Sequence, residues 1–330
     1  GTIGVNSGST LQLTGALGVT GLVTINSGGV LDLNGQSSTS SISLAGTGIS
    51  SAGALINSSA TAATQSGNVA LSAATSIGGT GNITISGSIS GAFALSFSSA
   101  GNISLLGAVA NLQLDGGSLA SLNVSNAAIT TISGALSSPG DLLFTGSSAF
   151  TVNAAGSITS SAGDVVISTA QFINSAGSSA ISATFKKWQV WSSNASPFSG
   201  GSQDSSGNLP ANYIQYNAIY GVTPVSGLGN GLLYSFAPTL TATISGSSNK
   251  TYDGNSIAPT NNITYTFTGG LNQETNFQTN NSTGTTAAYN TPNVGQSKAV
   301  VVSGLEVISA TNNNGQTIYG YQISTTTQTG

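Results

Sequence analysis

The amino-acid sequence predicts an all-β protein, a right-handed parallel β-helix of about 20 residues per coil followed by a small antiparallel β domain. Three observations carry this. Val, Ile, Thr, Leu and Phe recur in short bursts separated by Gly, Ser or Asn, and no window holds the i, i+3, i+4, i+7 pattern of a helix over three turns. A degenerate repeat returns at about twenty residues along the first half. The composition then shifts: all nine Tyr lie at or after Tyr213, all four Lys at or after Lys186, and six of seven Pro at or after Pro197.

In chain order, the repeat is clearest at the start. Residues 1–15 align with 21–35 through seven identities: Gly1/Gly21, Asn6/Asn26, Ser7/Ser27, Gly8/Gly28, Leu11/Leu31, Leu13/Leu33 and Gly15/Gly35. The apolar positions of each unit fall two apart in pairs, so each pair faces one side of a short strand. The Asn-Ser-Gly between them is a turn, with Gly free to take positive φ. Further along, Gly, then Asn or Asp, then apolar-x-apolar appears as GNVAL at 67, GNITI at 81, GNISL at 101, GDLLF at 140 and GDVVI at 163. Residues 1–182 are expected to form about nine coils and a rod of roughly 40 Å, each strand pairing with its equivalent about 4.8 Å along the axis. Small apolar side chains fill a narrow interior, and Asn at a turn stacks on Asn of the next coil.

Residues 183–238 hold both Trp, half the Lys and many turn residues, and are expected to cap the solenoid and lead out of it. From 239 to 330 the strand-like segments are longer, alternate more cleanly and carry Tyr: TLTATIS, NITYTFTG, KAVVVSGLEVIS and QTIYGYQIS.

The composition also excludes chemistry. The chain has 330 residues, 4% charged, with no His, Cys or Met and a net charge of −4. Mechanisms that need His or Cys are therefore excluded, and no two of the eight carboxylates lie within five positions of each other. Neither a catalytic residue, a cofactor nor a metal site is expected, and the protein is not expected to be an enzyme. Four basic residues make no nucleic-acid footprint, and no apolar run is long enough for a membrane helix. At 38% hydrophobic the chain has the apolar surface to fold.

Three segments carry a family resemblance. Residues 46–91 resemble the strand repeats of autotransporter passenger domains. WQVWSSNASPF with ANYIQYNAIYG is similar to the region that ends the solenoid in filamentous-haemagglutinin-like exoproteins. NKTYDGN, at 249–255, resembles the Tyr-Asp-Gly motif that opens YDG or MBG-type modules of the same large secreted proteins. The resemblance implies an extracellular or surface protein of a Gram-negative bacterium, exported by a type V route and used for adhesion, aggregation or biofilm matrix. No amino-terminal secretion domain and no carboxy-terminal membrane barrel is read in these residues.

Two places are candidate contact sites. Lys186, Lys187, Trp188 and Trp191 combine charge with large aromatics, which suits either stacking on a sugar or closing the open end of the solenoid. Lys250, Tyr252, Asp253 and Gly254 form the module motif, read as a ligand site or as Tyr252 packing inward while Asp253-Gly254 turns the chain. The leading functional reading is a structural rod that self-associates or joins neighbouring domains of a longer chain. The other is a β-helix that binds host or matrix glycans, or cleaves them through stacked Asp115, Asp141 and Asp164.

Overall fold

The computed structural model describes residues 1–271, 274–280, 285–324 and the backbone of Thr327–Thr329. Among them the only helical element is one 3-10 turn, Ile49–Ser51. Two compact units divide the chain, Gly1–Pro210 and Ala211–Gly330.

The first unit is a parallel β-solenoid of three faces and nine successive coils. On the first face Ile3 pairs with Val23, Val23 with Ile42, Ile42 with Val69, and the ladder runs on to Phe172. Its partners are 18 to 22 residues apart, except Ile42 and Val69, which are 27 apart. The second face stacks Leu11, Leu31, Leu55, Ile77 and Phe97 in register. The third stacks Ala63, Ile83, Ile103, Leu122, Leu142, Val165 and Trp188. The sequence repeat thus sets the register, with Leu31 lying over Leu11 as the alignment of 1–15 with 21–35 requires.

Alternation decides what faces inward. In Val23–Ile25 and Ile83–Ile85 the outer two residues are buried and the central Thr is only half-buried. Later coils widen the interior with rings, Phe144 edge-on to Phe150 at 5.1 Å and Phe150 stacked over Phe172 at 6.2 Å.

Turn chemistry locks the stack. The side chain of Asn26 donates to Asn6 Oδ1 at 3.1 Å, the amide ladder expected of the repeat. In the Gly-Asn/Asp motif the side-chain oxygen accepts the backbone N–H at the same position one coil on: Asn82 from Asn102 at 2.9 Å, Asp141 from Asp164 at 2.8 Å, and Asp164 from Lys187 at 3.1 Å. The glycines stacked at 67, 87 and 107 are required by space. A Cβ on Gly107 would lie 1.8 Å from the carbonyl oxygen of Gly87, and one on Gly87 would lie 2.1 Å from that of Gly67.

The second unit mixes strand directions. Thr239–Gly246 runs antiparallel to Ile263–Thr268, Thr286–Tyr289 to Ala299–Ser303, and Thr275–Thr279 to Val307–Thr311. The segments expected as strands from 239 onward form strands, with Gly304 and Gly320 breaking the last two into pairs. Tyr213–Gln215 adds a parallel element, paired with both Gly231–Tyr234 and Thr317–Tyr319. This unit is therefore not purely antiparallel. Its core gathers Ile244, Ala258, Ile263, Ala287 and Val300.

Candidate functional site

The module motif KTYDGN folds into a loop that closes on its own lysine. Gly254 takes φ +80°, which turns the chain and lets Asp253 Oδ1 accept the backbone N–H of Asn255 at 3.1 Å. Lys250 Nζ then donates to Asp253 Oδ1 at 2.7 Å, Asn255 O at 2.9 Å and Asn255 Oδ1 at 2.6 Å. Three protons meet three acceptors, so the ammonium is saturated. The hydrogen bond from Lys250, with the Asn255 backbone N–H, holds the exposed Asp253 carboxyl below its usual range.

A second loop repeats this device. Lys298 Nζ donates to Thr291 O at 2.6 Å, Thr291 Oγ1 at 2.8 Å and Asn293 O, and stands 5.9 Å from the centre of the Tyr289 ring. Tyr289 in turn donates its hydroxyl to Ser248 O at 2.6 Å, tying this loop to the strand end that precedes Lys250. Between the two loops lies a cleft of about 540 Å³, with Ile244, Ile263 and Val300 of the core among its lining residues. Tyr252 lines it and is 63% exposed. The turn at Asp253-Gly254 forms as expected, whereas Tyr252 is not packed into the module.

A buried acid lies elsewhere in the same unit. Glu274 accepts the hydroxyl of Tyr216 at 2.8 Å on Oε1 and that of Tyr321 on Oε2. Burial pushes its pKa up, against the pull of those two hydroxyls. Burial beside the carboxylate also raises both tyrosines. The rings of Tyr216 and Tyr321 meet edge-on at 5.1 Å, and Phe277 packs on Tyr321 at 5.7 Å. Sequence reasoning did not foresee this group, because positions 216, 274 and 321 share no spacing. The one available signal was a carboxylate in a segment that holds every Tyr of the chain.

The sites read in the sequence fall out unevenly. Trp188 continues the third apolar ladder above Val165 and is 1% exposed, and Trp191 is 5% exposed. Burial this complete leaves neither indole a face on which a sugar could stack. Lys186 is exposed and Lys187 half-buried. Asp141 and Asp164 do stack in consecutive coils, yet Oδ1 of each accepts a backbone N–H of the next coil, which makes them clamps between coils. No group of three or more metal-ligating side chains is found among the described residues, and no helix there is long and apolar enough to cross a membrane.

Comparison with known proteins finds no similar curated protein and no similar solved structure. It does find a family: residues 237–329 match the YDG domain, and that stretch contains the KTYDGN loop, both lysine-tethered walls and every residue lining the cleft.

Proposed function

We propose that the chain is a structural segment of a large secreted protein of the filamentous-haemagglutinin-like kind, an adhesin or biofilm-matrix fibre component at the surface of a Gram-negative bacterium, and not an enzyme. The observation that supports this best is the unbroken stack of nine coils, clamped between coils by Asn, Asp and close-packed glycines. Such a stack resists extension because many backbone hydrogen bonds must break together. With no Lys or Arg before residue 186, it also presents no site to trypsin-like proteases over that length. A YDG-type module beside a β-solenoid is the pairing that the sequence resemblance leads one to expect. Self-association through the ends or strand edges of the solenoid completes the reading.

Electron microscopy of the purified protein tests it, together with surface labelling of the producing bacterium by an antibody to residues 1–210. Rods or fibres in the images and labelling of intact cells are expected. Compact particles without a rod, or antigen found only after lysis, would rule the proposal out.

A further inference from the structure

We propose that the cleft of the second unit binds a short neutral glycan. Its two cations have no free proton to donate to an anionic ligand. Lys250 and Lys298 supply the only basic groups in the lining, and all three protons of each are already donated to acceptors of their own loops. The lysines hold the walls in place and have little left to offer a sulfate or a carboxylate.

What the cleft does offer suits a sugar. Tyr252 presents a largely exposed ring, a flat surface for the C–H face of a pyranose. Asn249 and Gln296, on opposite walls, have side-chain amides that donate to and accept from no protein group among the described residues. Each amide can pair with neighbouring hydroxyls as donor and acceptor together. Ser247 and Ser297 add hydroxyls to the same walls. The volume of about 540 Å³ lies within the range of small-ligand sites. Both walls are tied before a ligand arrives, Tyr289 to Ser248 and each lysine to its loop, so little ordering opposes binding.

This site is independent of the fibre proposal, since a module that binds no sugar leaves the rod intact. The test is the full chain on an array of neutral oligosaccharides alongside sialylated and sulfated ones, followed by calorimetry with the best neutral binder. Binding should persist at raised salt, because no ion pair carries it. Tyr252→Ala should weaken it about tenfold or more, while Tyr252→Phe keeps the ring and stays within about threefold. Asn249→Ala should weaken it as well, and Phe185→Ala, at an exposed aromatic in the other unit, should leave it unchanged. Absence of binding across the array overturns the assignment. So does a salt-sensitive preference for the charged sugars, or full affinity in a Tyr252→Ala protein whose circular dichroism and melting match the parent.

Discussion

A methyl group added at Gly107 would collide with the carbonyl of Gly87, and that carbonyl has no room to retreat because Gly87 is itself stacked on Gly67. Gly107→Ala should therefore cost the first unit about 1–3 kcal/mol through overpacking, read from denaturant unfolding. Asp32 makes a different demand. It is 2% exposed without a cation, and its carboxylate accepts Gln12 Nε2 at 2.8 Å, Asn34 N at 2.9 Å, Ser58 N at 3.0 Å and Ser58 Oγ at 2.6 Å, groups drawn from three coils. Burial alone would raise its pKa, but these donors together bring it below the ordinary 3.8. A depressed folded-state pKa stabilises the fold above the ordinary value, and the gain disappears as pH falls through the lowered one. The first unit should thus lose stability at pH below about 4, and Asp32→Asn should show a smaller loss there while costing about 1–3 kcal/mol at neutral pH.

At the scale of elements, the second unit carries the opposite pH signature. Glu274 has a raised pKa, so its contribution is fully present below the ordinary 4.5 and declines as pH rises through the folded value. Unfolding of this unit, followed by tyrosine fluorescence, should give a midpoint that falls as pH rises above about 4.5, and Glu274→Gln should flatten that dependence. An unchanged slope in the variant would place the titration elsewhere. The two units also differ in how far their strands could be read from sequence. The solenoid was legible because each inward position repeats about twenty residues later, so local pattern and long-range pairing carry the same information. Tyr213–Gln215 was not, since its ladder to Thr317–Tyr319 joins residues about a hundred positions apart with no shared motif. For Trp188 the sequence left two readings open, sugar contact or closure of the solenoid end, because charge beside aromatics suggests a surface; its register above Val165 places it in the ladder. At the cleft, sequence alone located the YDG turn but not the second wall, because Lys298 meets the first loop only through Tyr289 and Ser248.

Over the whole molecule, scarcity of charge becomes a handle for experiment. Four lysines are the complete set of trypsin sites, and two of them, Lys250 and Lys298, are bound into their loops. Lys186 lies in an exposed bend just before the last solenoid strand, Trp188–Ser192. Trypsin acting on the native protein should cut first at Lys186–Lys187, and the double substitution to Gln should slow digestion markedly, with mass spectrometry identifying the fragments. Early cleavage at Lys250 would instead mean that the module loop opens more readily than its hydrogen bonds imply.

The one long step in the first ladder, from Ile42 to Val69, shows how such a scaffold accommodates added sequence. The extra residues leave the coil at Thr47, turn through Ile49–Ser51 and return at Gly53, whose N–H closes the neck on Thr47 O at 2.9 Å. The ladder shifts register between Leu44 and Gly46, just before the neck, and the second face then resumes with Leu31 on Leu55 and Leu55 on Ile77. A foreign peptide spliced between Thr47 and Gly53 should accordingly be carried as a surface display without disturbing the coils, which makes this excursion a ready port for epitopes or affinity handles.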